Sequence, residues 1–119
     1  LEGTTWVLDG FLDGDVASSL PAGGSATVTF DPATGRVLVD DTGCNGGGGS
    51  YSVDPGAAPD RGQVTISDFA TTLMRCEGPA MAVEDQVVAV LGGPVDYEIE
   101  ADRLTLLHAD GKGITLRAG

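Results

Sequence analysis

The chain has 119 residues, of which 41% are hydrophobic but only 5% aromatic, so it fits one domain whose core rests on aliphatic side chains. Its formal net charge of −12, from 18 acidic and 6 basic residues, repels phosphate and argues against nucleic acids and anionic membranes as partners. Such a surface still suits a basic protein partner or a divalent cation, although most acidic surfaces serve solubility alone.

The first third of the sequence predicts three strands. Residues 4–8 form the first, and residues 26–30, which alternate apolar and polar side chains, form the second. Between them, the small and polar residues 13–24 predict a loop. Residues 31–35 (DPATG) carry proline and glycine where a tight turn needs them, so residues 36–40 should return as the third strand of a hairpin.

Four consecutive glycines, residues 46–49, invite comparison with a phosphate-binding loop. The pattern GxxxxGK[ST] is absent, however, and no predicted helix follows the glycines to offer its N-terminus. We therefore predict a bend or bulge between strands at this point, followed by a short strand over residues 63–66. Residues 68–76 predict a turn and then an extended segment.

A single helix is predicted over residues 79–91, because proline is favoured at the first helical position and Gly92-Gly93-Pro94 ends the pattern. Helical spacing defines its inward stripe: Glu84, Val87, Val88 and Leu91. Glu84 therefore lies in line with apolar residues. Two interpretations stay open, a boundary position with the carboxylate in water, or a partly buried acid bonded to backbone amides or to Arg75.

The last third predicts a meander of three strands between residues 95 and 117, with turns at 101–102 and 109–113. Sequential hairpins of this kind make an antiparallel sheet that can curl into a barrel. The predicted fold class is α+β, mainly β: a small open antiparallel β-barrel with one helix packed against it. Neither a repeat nor a linker divides the chain, so residues 1–119 are predicted to form a single domain.

The sequence carries no recognisable catalytic constellation. His108 is the only histidine and lies in a predicted strand, where we expect it to face solvent, and Ser50 lacks the final glycine of a GxSxG motif. Asp13-Gly14-Asp15 and Asp40-Asp41 offer carboxylates to calcium, but neither matches an EF-hand loop, and Asp-Gly pairs are ordinary in turns. We predict that the chain is not an enzyme and has no cofactor or metal site.

The two cysteines, Cys44 and Cys76, lack the close spacing of a redox CxxC motif or a zinc knuckle. With a single histidine in the chain, a four-ligand zinc site would need carboxylates as well. Two free buried thiols and one disulfide both remain open on this evidence. A disulfide would stabilise the fold by about 3–4 kcal/mol on the chain-entropy model.

Several pieces of the sequence, taken in order, are more specific than generic strands. They are Trp6 near the start, Gly43-Cys44-Asn45 leading to Gly49-Ser50-Tyr51, Thr72-Leu73-Met74-Arg75-Cys76, a helical Glu84, and Leu104-Thr105-Leu106 near the end. Together they resemble the META domain family, which includes the heat-shock protein HslJ, over nearly the whole chain. One departure is Gly47, where the family usually places a bulky residue, and we expect a looser bend there.

The resemblance implies a small open barrel with one helix across an end or opening. It also implies scaffold roles for its motif residues: Gly43, Asn45, Gly49, Tyr51, Thr72, Met74 and Glu84. Many bacterial members are secreted proteins or envelope lipoproteins, so an extracytoplasmic location is expected, with any signal peptide, lipobox or lipid anchor outside this segment. Oxidation is favoured in that setting, and the resemblance therefore implies a disulfide between Cys44 and Cys76.

The family resemblance and the empty search for catalytic residues predict a non-enzymatic domain that binds a protein partner or supports the cell envelope under stress. One alternative is a carrier that holds a small apolar ligand in the barrel interior, gated by the helix. A second is a secreted module that interacts with or inhibits proteases. We expect a monomer without a membrane span, since the most apolar run, residues 87–91, is far too short.

Overall fold

The computed structural model describes residues 1–20, 24–40, 46–55, 60–71 and 79–119. Within these ranges lie nine strands and one helix. The strands are β1 (Thr5–Asp13), β2 (Val16–Ser19), β3 (Thr27–Asp31), β4 (Arg36–Asp40), β5 (Gly47–Pro55), β6 (Arg61–Thr71), β7 (Gly93–Glu100), β8 (Arg103–His108) and β9 (Lys112–Ala118). The helix is α1 (Pro79–Val90), which at 12 residues lacks the length and apolarity needed to cross a membrane.

Eight of these strands form a closed antiparallel ring in the order β1-β3-β4-β5-β6-β7-β8-β9, and β9 pairs back with β1. The predicted class, mainly β with one helix, is confirmed. The predicted open barrel is wrong, because β1 continues past Leu8 to Asp13 and offers β9 a long edge. A register shift between Leu8 and Gly10 accommodates this extension, as bulges do where a sheet curls.

The loop predicted at residues 13–24 contains a strand instead. β2 pairs with the second half of β1, starting from Asp13 opposite Val16, so that Gly14 and Asp15 form a tight hairpin turn. Gly14 has a φ of 60°, which glycine adopts without steric cost. The sequence did not predict this strand because all four β2 side chains are exposed, so apolar and polar residues do not alternate along it. Asp13-Gly14-Asp15 therefore forms the turn between β1 and β2.

The hairpin predicted around residues 31–35 is confirmed. β3 and β4 pair in register from Asp31–Arg36 to Thr27–Asp40. The Asp31 carboxylate accepts a hydrogen bond from the backbone N–H of Ala33 at 2.9 Å, and Gly35 takes the left-handed conformation with a φ of 69°. These contacts are what proline, aspartate and glycine in such a turn provide.

The helix supplies part of the single apolar core formed by the described residues. Its buried apolar side chains are Val83, Val87 and Val90, with Leu91 immediately after it. Val88, predicted to face inward, is 39% exposed, because the buried stripe is centred on Val87 rather than midway between Val87 and Val88. Glu84 is only 6% exposed, so its burial is confirmed, while its bonding to backbone amides stays a prediction and Arg75 lies outside the described residues.

Candidate functional site

An open groove of about 410 Å³ runs along the outside of the barrel, where β5 begins. We call it the glycine groove. Its lining residues come from three neighbouring strands and the residue before β5: Arg36 and Leu38 of β4, Gly46, Gly47 and Gly48, and Asp68, Ala70 and Thr71 of β6. The predicted bend in this region is therefore a strand whose outward side chains are missing.

Gly48 explains why the groove exists. It pairs with Leu38 on one side and with Ala70 on the other. A Cβ atom at Gly48 would lie 3.3 Å from the Leu38 Cδ2 atom and 3.4 Å from the Arg36 Nη2 atom, so this position faces the same outer surface as those side chains. With no side chain at Gly48, the β5 backbone becomes a floor between walls made by β4 and β6.

The bend or bulge predicted at the glycine run corresponds to a bulge in the β5–β6 pairing, whose extra residue lies on β6 and not among the glycines. Ser50 pairs with Ser67, and Gly48 pairs with Ala70, so β6 holds one residue more than β5 between the same two rungs. Asp68 absorbs the extra length with a φ of 56°, which aspartate tolerates better than most residues. β6 thus continues to Thr71 and does not turn at residue 68 as predicted.

Gly49 lies directly against the backbone of β6. A Cβ atom there would lie 2.8 Å from the Ser67 carbonyl oxygen and 3.0 Å from the Phe69 Cα atom. Both obstacles are backbone atoms, which cannot rotate away as a side chain can. Any side chain at Gly49 would therefore push the two strands apart.

The looser bend expected at Gly47 is not found. Gly47 pairs with both Val39 and Thr71, inside the hydrogen-bonded ladders of β5. A Cβ atom at Gly47 would lie 3.0 Å from the Phe69 Cζ atom and from the Thr71 Cγ2 atom. Side chains of β6 thus crowd the position where the family usually has a bulky residue, and the ladder keeps its regular pairing there.

Two opposite charges stand on the two walls of the groove. The exposed Arg36 rises from β4, and the exposed Asp68 from β6, and neither makes an ion pair with a described residue. Arg61 and Arg103 differ in this respect, since the first lies 3.5 Å from Glu98 and the second 3.6 Å from Asp9. The groove therefore combines a cation and an anion, neither of them ion-paired with a described residue, with a backbone floor and apolar side chains on its walls.

Tyr51, a predicted motif residue, lies further along β5 and secures the N-terminal segment. Its hydroxyl donates a hydrogen bond to the Glu2 carboxylate, and its ring packs edge-to-face on Phe30, with ring centroids 5.2 Å apart. Burial, and then the bond to Glu2 and the negative charges of Glu2 and Asp31, raise the pKa of Tyr51 far above the usual value for tyrosine. The predicted pattern of a packed ring and a bonded hydroxyl is present.

His108 is not the solvent-facing residue that its strand position suggested. Its side chain is 23% exposed, and its Nε2–H donates to the Gly92 carbonyl oxygen at 3.0 Å, just beyond the end of α1. Its Nδ1 accepts from the Asp110 backbone N–H at 3.2 Å and lies 3.1 Å from the Asp110 carboxylate. The pKa of Asp110 is lowered, first by the Lys112 backbone N–H and then by His108. Both ring nitrogens are thus engaged in holding the end of the helix to the β8–β9 turn.

Several predicted residues fall outside the described ranges: Gly43, Cys44, Asn45, Thr72, Met74 and Cys76. The described residues nearest to them in the sequence are Gly46, after Asn45, and Thr71, before Thr72. Gly47 and Thr71 are direct partners in the sheet and both line the groove. Among the described residues, no group of three His, Cys, Asp or Glu side chains is arranged to hold a metal ion.

The sequence profile of the META domain family matches residues 1–118. The chain belongs to the META domain family. A search of curated proteins found no significant match to this META domain.

Two structures solved by NMR share the fold of this META domain. A protein from Burkholderia xenovorans superposes with a TM-score of 0.75 at 23% identity, covering 100% of this chain and 83% of the other. A second protein gives a TM-score of 0.68 at 17% identity, covering 99% of this chain and 91% of the other. At these identities the comparison establishes a common fold for the META domain.

Proposed function

We propose that this META domain is a non-enzymatic binding module that works outside the cytoplasm and recognises a protein partner through the glycine groove. The observation that carries the proposal is the combination of a bare backbone floor with two charges, Arg36 and Asp68, that form no ion pair with a described residue. Concave surfaces that are mainly apolar and hold a few convergent polar groups are the usual form of binding sites. Support of the envelope under stress stays a prediction from the family resemblance.

The environment of His108 supports the non-enzymatic part of the proposal. A general base needs a ring nitrogen free to take a proton from a substrate. Both nitrogens of His108 already bond to protein atoms, Nε2 to Gly92 and Nδ1 to Asp110. Its role is therefore to hold structure together.

The packing of the interior favours a surface function over the alternative of a ligand carrier. Helix residues Val83, Val87 and Val90 belong to the same buried cluster as the inward side chains of the strands, such as Phe30 and Leu106. Interiors packed in this way leave little room for a ligand. The glycine groove, by contrast, opens to the outside of the barrel.

The proposal is tested by photo-cross-linking in cells that secrete the domain. A photoreactive amino acid replaces Leu38 on the groove wall, and in a control it replaces Val88 on the helix, because the two side chains are 40% and 39% exposed. We expect one protein to be captured from position 38 and not from position 88. That protein, once identified and purified, should bind the wild-type domain and bind an Arg36→Gln variant more weakly.

Equal capture from both positions, or equal binding by the Arg36→Gln variant, would show that the groove is not the recognition surface. Recovery of the domain in the cytoplasm of its natural host would refute the location.

A further inference from the structure

We infer that the glycine groove binds a short stretch of peptide that places a carboxylate on Arg36 and an ammonium group near Asp68. This inference rests on the proposed function and names the chemistry that the site recognises. The ligand it defines is a short free peptide, whose C-terminal carboxylate and N-terminal ammonium group are the two charges.

Arg36 supplies the first half of the recognition. Its Nη2 atom lies 3.4 Å from the place that a Gly48 Cβ atom would occupy, so the guanidinium extends over the floor of the groove. A guanidinium presents a planar fork of donors that matches the two oxygens of a carboxylate. No described acidic side chain pairs with it. A ligand carboxylate would therefore find these donors available.

The overall charge makes a single carboxylate a better ligand than a phosphate. The protein carries a net charge of −12, which repels anions in proportion to their charge. A phosphate monoester carries almost two negative charges at neutral pH, and one arginine cannot offset them both. A ligand that brings its own positive charge is repelled least.

Asp68 supplies the second half. It lines the groove from β6, while Arg36 lines it from β4, with β5 between them. Adjacent strands lie about 4.8 Å apart, so the backbones of the two walls are separated by roughly 10 Å. The arginine side chain shortens this gap considerably. A ligand of two or three residues, which spans at most about 7–11 Å when extended, is the longest that fits between the two walls.

The floor determines what lies between the two charges. The backbone groups of Gly47 and Gly48 already pair with β4 and β6, so the ligand cannot join the sheet as an added strand. Leu38, 40% exposed, and Ala70 provide apolar walls. Small apolar side chains and flat peptide groups fit such a surface, and a volume of about 410 Å³ is at the lower end of the range for ligand sites.

Titration with three matched peptides tests the inference: trialanine, its C-terminal amide, and its N-acetyl form. The first carries both charges, and each of the others lacks one. In ¹H–¹⁵N correlation spectra, trialanine should shift the amide signals of Gly46, Gly47, Gly48 and Thr71. Amidation should weaken the affinity about tenfold, because a charge-assisted bond to Arg36 is lost, and acetylation about threefold.

Two arginine variants locate the carboxylate. Arg36→Gln should lose about tenfold in affinity for trialanine and should no longer distinguish it from its amide. Arg117→Gln is the matched control, because Arg117 is exposed on β9, makes no ion pair with a described residue, and changes the net charge equally. Unshifted signals from β8 and β9 in Arg36→Gln would verify its fold.

Three results would overturn the inference: no shifts with trialanine at millimolar concentration, equal affinity for all three peptides, or equal losses in the two arginine variants. The outcome is separable from that of the proposed function. If a partner is captured at position 38 while the peptides are not distinguished, only this inference fails. If trialanine binds as expected and no partner is captured, only the proposed function fails.

Discussion

Gln86 of the helix donates a hydrogen bond from its side-chain amide to the carbonyl oxygen of Gly113, 3.1 Å away in β9. The same amide nitrogen donates to the carbonyl oxygen of Leu12 in β1, also at 3.1 Å. Leu12 and Gly113 are paired residues at the junction where the first and last strands meet. One side chain thus joins the helix to both sides of the closure.

Replacing Gln86 with alanine should lower the free energy of unfolding by about 1–3 kcal/mol, since each hydrogen bond contributes about 0.5–1.5 kcal/mol net. Urea denaturation measures the change. Asp85→Ala, at an exposed helix position next to it, should stay within about 0.5 kcal/mol of the wild type. Equal stability of the two variants would show that the Gln86 bonds contribute nothing.

The contrast between Gly49 and Gly46 gives a second prediction. Gly49→Ala should destabilise the domain by about 1–3 kcal/mol, because its Cβ atom would meet the backbone of β6 at 2.8 Å. Gly46→Ala should be neutral or slightly stabilising, because the nearest atom to its Cβ position is 3.5 Å away. Thermal unfolding of the two variants compares them directly, and the reverse order would contradict the geometry.

The raised pKa of Tyr51 leads us to expect that the free energy of unfolding falls at alkaline pH. Because burial and Glu2 raise its pKa in the folded state, the unfolded chain releases this proton more readily than the folded one. The stabilisation is complete below the unfolded pKa of about 10 and is lost as the pH rises through the folded value. The difference between the ultraviolet phenolate titrations of wild type and Tyr51→Phe isolates this group. A difference curve centred near pH 10 would contradict the prediction.

A disulfide between Cys44 and Cys76 remains a prediction. Both residues lie outside the described ranges, but Cys44 precedes Gly47 and Cys76 follows Thr71, and these two glycine groove residues are direct partners in the sheet. Reduction should lower the free energy of unfolding by about 3–4 kcal/mol. Intact mass with and without reductant detects the bond, and an unchanged mass would refute it. Cys44→Ser with Cys76→Ser should reproduce the loss.

Local signals in the sequence predicted local structure well. The β3–β4 hairpin follows from Pro32 and Gly35, and the helix from Pro79 and the glycines after Leu91. β2 was missed because its side chains are all exposed and show no alternation. Closure of the barrel was missed because pairing between β1 and β9 joins residues about one hundred positions apart, such as Leu8 and Leu116, and no local pattern encodes it.

The glycine groove was not predicted from the sequence for a related reason. A run of glycines has no hydrophobic periodicity, so nothing in residues 46–49 distinguishes a strand from a bend. Arg36 and Asp68 are 32 positions apart and become opposite walls only when β4 and β6 flank the same strand. Tyr51 was identified from the family resemblance and Glu84 already from its helical spacing, but the sequence did not indicate that Glu2 would meet Tyr51.

Because β1 pairs with β9, the barrel can close only after β9 has been synthesised. β1 leaves the ribosome first, yet its partner along most of its length, Lys112–Ala118, is made last. Until then, β1 has an open edge of unpaired backbone groups, which is the kind of edge that pairs with other chains. A chain that stops before β9 would keep that edge permanently. A variant of this domain that lacks β9 should therefore aggregate, even though it keeps the other eight strands.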